Sequence, residues 1–179
     1  MEATHHNVKA VYEALREMNV PAIMLSTLGK SDEGFFPFTL TNFVNLYEFQ
    51  KEMIYLIAGG TGFPGFSTDT AAAIFAYSYN MDKIIKSTNA GAIYNRDPRE
   101  VNSSVELERI PYISYRDAIK RDLRVMDLTA IAYCEKNSID IHVTGVEDAD
   151  TLESILKYNE NPGGSLVTSE EKVLKLTRK

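Results

Sequence analysis

One stretch carries the residue types that phosphate chemistry uses, in a suitable order: Gly59-Gly60-Thr61-Gly62-Phe63-Pro64-Gly65-Phe66-Ser67-Thr68-Asp69-Thr70. An apolar run, Met53-Ile54-Tyr55-Leu56-Ile57-Ala58, precedes it, and an Ala-rich segment from Ala71 to Tyr79 follows. The order is buried strand, glycine-rich turn, helix start. Glycine lets the backbone approach a ligand closely and take positive φ. The first turn of a helix leaves N–H groups without intrahelical acceptors and carries the positive end of the dipole. Together they make an anion site, most often for phosphate. Thr61, Ser67 and Thr68 add hydroxyls to the same rim. Asp69 is the unusual member. A carboxylate beside a bound phosphate repels it unless a metal ion or a transferring phosphoryl group gives it a role. The plainer reading makes Asp69 or Thr68 a helix cap. That accounts for one residue and leaves the glycines, the hydroxyls and the preceding strand unexplained.

The elements that must position this loop follow from hydrophobic spacing. Val8, Val11, Tyr12 and Leu15 recur at helical intervals, which predicts a helix over 7–18. Residues 20–26 (VPAIMLS) read as a strand, 27–36 as a loop, 41–52 as a helix and 53–58 as a strand. A helix from Asp69 to about Asn80 follows the glycine loop. Lys83 to Ser87 reads as a strand and Thr88 to Pro111 as a long irregular excursion. Ser114 to Lys120 and Val125 to Asn137 read as helices, Ile139 to Thr144 as a strand and Ala149 to Tyr158 as a helix. Gly163-Gly164 marks a turn, and Ser165 to Thr168 a short last strand. Strands alternating with helices imply crossover connections and a mostly parallel sheet. Ligands bind such sheets beyond the strand C-termini. The glycine loop and Thr88-Asn89 both follow strands, so they are expected to border one crevice. The expected organisation is a single α/β domain over 1–168 and a charged, fraying tail over 169–179.

Composition narrows the classes. The chain has 179 residues, 44% hydrophobic and 25% charged, which fits a soluble globular domain. A net charge of −6 and the lack of a long basic stretch argue against a nucleic-acid partner. No apolar run reaches membrane-spanning length and the first residues show no signal-peptide pattern. Cys134 is the only cysteine. It allows no internal disulfide, which suits the cytoplasm, and it reads as a small buried hydrophobe.

Other constellations have competing readings. Gly60-Thr61-Gly62-Phe63-Pro64-Gly65 matches G-x-G-x-x-G. A dinucleotide fold is disfavoured, because the helix starts after the last glycine and Pro64 stiffens the turn. The next strand also ends in Lys86-Ser87-Thr88-Asn89 without an acidic residue for a ribose. Tyr94-Asn95-Arg96-Asp97-Pro98 is either a turn or a loop over a nucleotide, with Tyr94 as a flat surface and Asp97 as a polar contact. Asp127 opens a helix, where it is an N-cap or a catalytic group. His5, His6 and His142 lack metal-ligand spacing. His5-His6 read as solvated and His142 as a structural residue on a strand.

These pieces resemble the bacterial uridylate (UMP) kinases of the amino-acid kinase superfamily. The likeness rests on Gly59-Gly60-Thr61-Gly62-x-Pro64-x-Phe66-Ser67-Thr68-Asp69-Thr70-Ala71-Ala72-Ala73 and on Lys86-Ser87-Thr88. It continues through Tyr94, Asp97-Pro98, the block Leu123 to Ala132 (LRVMDLTAIA), and Gly164 to Thr168 (GSLVT). It covers nearly the whole chain and is weakest from Leu28 to Glu52. The resemblance implies a three-layer αβα fold and transfer of the γ-phosphoryl of Mg-ATP to UMP, giving UDP and ADP. It implies that Thr61, Gly62, Phe63, Pro64, Gly65, Phe66, Ser67 and Thr68 cradle UMP, and that Asp69 lies by the transferring group. Thr88, Tyr94 and Asp97 would contact ATP, and Asp127 would help orient the catalytic lysine. A cytoplasmic homohexamer, activated by GTP and inhibited by UTP, is also implied, with Mg2+ as cofactor but no metal ligand assigned on the protein.

The departures are equally specific. Such kinases open with a strand and a glycine-rich loop carrying the catalytic lysine. A Gly-Gly turn, an arginine and a uridine-binding aspartate come next, ahead of a Met-Gly-Met-Leu-Ala-Thr helix. Met1-Glu2-Ala3-Thr4 aligns with the end of that pattern. The expectation is a chain truncated relative to the family, with exposed sheet edges and poor stability as a monomer. Phe63 and Gly65 stand where the family usually has Asn and Phe, and Gly91-Ala92 where it has Asp-Gly. The alternative to a working kinase is a non-catalytic remnant that binds nucleotide or a partner subunit.

Overall fold

The computed structural model describes residues 2–29, 33–38, 53–96, 98, 107–123 and 125–178. The expected helix over 41–52 lies outside them, as does Asp97. The chain divides into two compact units, Met1–Ala71 and Ala72–Lys179.

The first unit opens with helix α1 (Glu2–Glu17), followed by strands β1 (Ala22–Ser26), β2 (Phe36–Pro37) and β3 (Ile54–Ala58). The strands form a parallel sheet in the order β2-β1-β3. Ala22 pairs with Ile54 and Ser26 with Ala58, so β1 and β3 end level. Helix α1 stops where Asn19 takes the left-handed conformation, with the Val20 N–H donating to Leu15 O at 2.9 Å. Val8 and Tyr12, one helical turn apart, pack on a small core of Met24, Phe35 and Ala58, joined by Leu56. Val11 faces outward. Two expectations change here. Helix α1 starts at Glu2 rather than Asn7, and His5, expected to be solvated, is buried. The earlier start puts His5 one turn ahead of Val8 and Lys9, on the side of the helix that meets the sheet. His6, one position on, is exposed.

Helix α2 (Thr68–Ser78) follows the glycine loop. The second unit then contains β4 (Lys83–Thr88), β5 (Tyr112–Ser114), α3 (Tyr115–Lys120) and α4 (Leu128–Asn137). The remaining elements are β6 (Asp140–Gly145), α5 (Ala149–Tyr158), β7 (Ser165–Thr168) and α6 (Glu170–Leu176). Its sheet runs β4-β6-β7-β5. The outer pairs are parallel, but β6 and β7 are antiparallel. The turn after α5 explains the reversal. Asn161 Nδ2 donates to Val143 O (3.1 Å) and Ser165 O (2.8 Å), and the Gly164 N–H donates to Asn161 Oδ1 at 3.0 Å. A Cβ on Gly164 would lie 1.9 Å from Val143 O, so only glycine admits this approach. Ile131, Ile141, Val143 and Val167 centre a large core that also takes Ala73 and Ala76 of α2 and Cys134. Burial pushes the Cys134 thiol up to about 11, in line with a packing role.

Strand β5 lies just beyond the irregular excursion, where no strand is expected, and its last residue, Ser114, caps α3 rather than opening it. The two flanks of that excursion pair: Tyr94 bridges Arg109 antiparallel, and the Ile110 N–H donates to Ile93 O at 2.8 Å. Helix α4 starts at Leu128 rather than Val125 because Asp127 caps it. The C-terminal segment, expected to fray, forms α6. Ser169 caps it and Lys172 pairs with Asp140, whose carboxylate also accepts from Thr168 Oγ1 at 2.5 Å.

Candidate functional site

The glycine loop leaves β3 and closes a turn at once, the Gly62 N–H donating to Gly59 O at 3.2 Å. Gly59 and Gly62 have φ of +94° and +78°, a region costly for other residues. Space matters as much as torsion. A Cβ on Gly59 would lie 2.3 Å from Thr27 Oγ1, and one on Gly62 would lie 2.9 Å from Thr27 O. These two glycines therefore let the turn close against the Thr27-Leu28 segment. Thr61 is used within the loop, its Oγ1 accepting from the Phe63 N–H at 3.1 Å. Phe63 and Phe66 are exposed, at 69% and 55%, and Pro64, Gly65, Ser67 and Thr68 are exposed beside them.

At the mouth of α2 the capping question has a definite answer. Ser67 Oγ accepts from the Thr70 N–H at 3.1 Å, and Ser67 O accepts from the Ala71 N–H at 3.2 Å. Ser67 is the cap, not Thr68 or Asp69. Asp69 stands in the first helical turn, half-buried, where the dipole favours negative charge. Thr61 to Thr68 and Asp69 thus form one continuous rim within the first unit.

In the second unit, Thr88 and Tyr94 line one open cleft of about 670 Å³. Thr88 ends β4, and its backbone and side-chain oxygens both accept from the Gly91 N–H at 3.2 Å. Ile93, Val125 and Val143 give the cleft an apolar floor, while Asn89, Asn95, Arg96, Arg121 and the acidic Asp122 contribute polar and charged groups. Such a mixture suits a ligand with a flat apolar part and an anionic part. Arg121 was missed from the sequence. It follows α3, far along the chain from Thr88, and only the fold brings it to the cleft. Asp127 does not line this cleft. Its Oδ1 accepts from the Ala130 N–H at 3.0 Å, the capping role weighed for it.

His142 lies on β6 as expected, fully buried. Burial lowers its pKa below the ordinary 6.5; Lys83 and Lys172 push the same way and Asp140 and Asp82 oppose them. Neither ring nitrogen has a hydrogen-bond partner among the described residues. Among those residues no group of three or more His, Cys, Asp or Glu could hold a metal ion, and no helix is long and apolar enough to cross a membrane.

A sequence model of the amino acid kinase family matches residues 2–145. A uridylate kinase of Rhizobium johnstonii is 31% identical over 170 residues, a match covering 94% of this chain and 65% of that protein. A uridylate kinase of a Sulfurovum species is 32% identical over 157 residues, covering 88% of this chain and 64% of the other. The chain thus spans slightly less than two thirds of the length of these curated relatives. Among solved structures, UMP kinase from Ureaplasma parvum superposes with a TM-score of 0.79 at 30% identity, covering 94% of this chain and 69% of that one. UMP kinase from Bacillus anthracis gives a TM-score of 0.71 at 20% identity, a likeness of fold.

Proposed function

We propose, from the premise that this chain belongs to the amino acid kinase family, that it serves as a uridylate kinase, moving the γ-phosphoryl group of ATP to UMP to give UDP and ADP. The observation that carries the reading is the rim at the end of β3: a tight glycine turn, Ser67 capping α2, and Asp69 in the first helical turn. In this reading the rim from Thr61 to Thr68 seats the phosphate of UMP. Exposed Phe63 and Phe66 supply apolar surface beside it. Thr88 and Tyr94 hold ATP in the cleft of the second unit, with Asp97 as a further contact. Arg96 and Arg121 there offer charge to its phosphates. Phosphoryl transfer asks a protein mainly for positioning and charge neutralisation.

Mg2+ needs only one or two carboxylates because it keeps several waters and binds substrate phosphates. The single carboxylate of Asp69 fits that demand. When bound, the ion would offset charge on the β- and γ-phosphates. Asp69 itself would orient the transferring phosphoryl group from the helix mouth, and by the family resemblance Asp127 would help orient the family's catalytic lysine.

The family resemblance extends the reading to a cytoplasmic homohexamer with GTP as activator and UTP as inhibitor. Sedimentation, with and without each effector, tests that part.

The test of the reaction is a coupled ADP-release assay with Mg-ATP and UMP, with CMP as control. UMP-specific turnover is expected, and Asp69→Asn should lower kcat by at least about 100-fold while UMP still binds. Nucleotide binding without turnover would instead assign the chain the non-catalytic alternative. No response to either nucleotide would sink the kinase reading and leave, of the alternative, only the binding of a partner subunit.

A further inference from the structure

The glycine loop is tied at its root to the first turn of α1. The Gly59 N–H donates to Thr4 Oγ1 at 2.9 Å, across fifty-five positions of sequence. Gly59 O closes the turn by accepting from the Gly62 N–H. Thr4 therefore fixes the peptide from which the turn starts.

The next residue holds the wall behind the loop. His5 Nε2 lies 2.9 Å from Ser26 Oγ, with the imidazole 8% exposed and the serine fully buried. The ring also meets Phe35, centroid to centroid at 4.9 Å. Ser26 Oγ accepts from the Leu28 N–H at 3.3 Å. The adjoining Thr27 donates its N–H and its hydroxyl to Ala58 O, at 3.0 and 3.1 Å. Thr27 and Leu28 are the surface that Gly59 and Gly62 close against. Two side chains of one helical turn thus hold the two segments that shape the loop.

Resting on the reading above, we infer that Thr4 and His5 are positioning residues for the UMP cradle, acting through Gly59 and Ser26 respectively. The bland alternative is packing alone. Packing would ask for an apolar side chain at position 5, because a buried imidazole costs stability unless it is bonded. The cluster that α1 packs on is small: Met24, Phe35 and Ala58 are its buried members among the described residues, and Leu25 is buried outside it. In so small a core, directional bonds are the available means of fixing a loop.

Amide hydrogen exchange on the full chain tests this without ligand. Thr4→Val and Thr4→Ala should speed exchange at Gly59 and Gly62 about tenfold, the scale of one hydrogen bond. Thr4→Ser should restore it. His5→Phe, which keeps an aromatic ring against Phe35, should do the same at Leu28. The amides of Ile141 and Val143 should not change. In each responding variant the Kd for UMP should rise about tenfold, with that for ATP unaltered. Unchanged exchange at Gly59 and Gly62, faster exchange everywhere, or changed exchange with unchanged UMP affinity would each overturn the inference. A parent chain that does not bind UMP overturns the uridylate-kinase reading and, with it, this role in UMP binding; the exchange results alone would then decide whether the tethers hold the loop.

Discussion

The loop after β3 and the loop after β4 occupy the same formal position, each at the C-terminal end of a strand in a parallel pair. They are built by different means. The first stands over a core with few buried side chains. Its shape depends on two glycines closing on Thr27-Leu28, on Thr4 and Ser26 accepting from the Gly59 and Leu28 N–H groups, and on the His5–Ser26 hydrogen bond. The second stands over a large apolar core, and its cleft floor is made from members of that core, Ile93, Val125 and Val143. A site held by a few polar tethers loses its geometry one bond at a time. A site floored by packed side chains keeps it until the core gives way. Substitutions in the two regions should therefore fail in different ways.

The sharpest break is expected at Gly164→Ala. Its new Cβ would meet Val143 O at 1.9 Å and Asn161 Oδ1 at 2.4 Å, so the β6–β7 pairing must open. A loss of about 3 kcal/mol or more is expected, beyond ordinary overpacking. Denaturant unfolding measures it, and a loss below about 1 kcal/mol would show that the turn relaxes freely. Gly59→Ala should cost about 2 kcal/mol, from positive φ and the approach to Thr27. In the uridylate-kinase reading its larger effect is on UMP binding, and calorimetry that finds UMP affinity intact would mean that the glycine turn does not shape that site.

Asp140→Ala comes next. It strips the acceptor from the buried Thr168 hydroxyl and from half-exposed Lys172, so about 2 kcal/mol is expected. The circular dichroism of α6 should fall before global unfolding; simultaneous loss would argue that the helix has other anchors. The smallest effect is expected at His142→Leu. The folded-state pKa of His142 lies below the unfolded 6.5. Its neutral form is thus fully compatible with folding above about pH 6.5, and stability falls as pH drops below that value, where the unfolded chain binds the proton more readily. His142→Leu should change stability by less than about 1 kcal/mol at pH 7.5, because an unpaired buried polar group is replaced by an apolar one. It should also flatten the decline below pH 6.5. Melting curves from pH 7.5 to 5 decide it, and an unchanged slope would assign the decline to other groups.

Much of this was legible in the sequence where the signal is local. Residues 54–58 and 165–168 are short apolar runs between turn residues, and both formed strands. Helix α5 formed over Ala149–Tyr158 as read, because Asp148 caps its start and Asn159 ends it in the left-handed conformation. The order of strand, glycine turn and helix at 53–79 was readable for the same reason. Strand β5 was not. Its three residues carry no periodicity, and they become a strand only by pairing with β7. Helix α6 reads as a charged tail until Asp140 is brought to Lys172. His5 shows the limit most clearly, since a histidine beside another at a chain start looks solvated until Ser26 and Phe35 close over it.

Local order along the chain set the rim chemistry at 59–70 and the family resemblance, because turn glycines, capping hydroxyls and a first-turn carboxylate act on their immediate neighbours. Tertiary structure decided that the glycine turn closes on Thr27-Leu28. It also turned β7 against β6, and it brought Arg121 to the cleft and Thr4 and His5 to the loop. Those outcomes depend on contacts between residues tens of positions apart, and such contacts leave no periodic trace in the sequence.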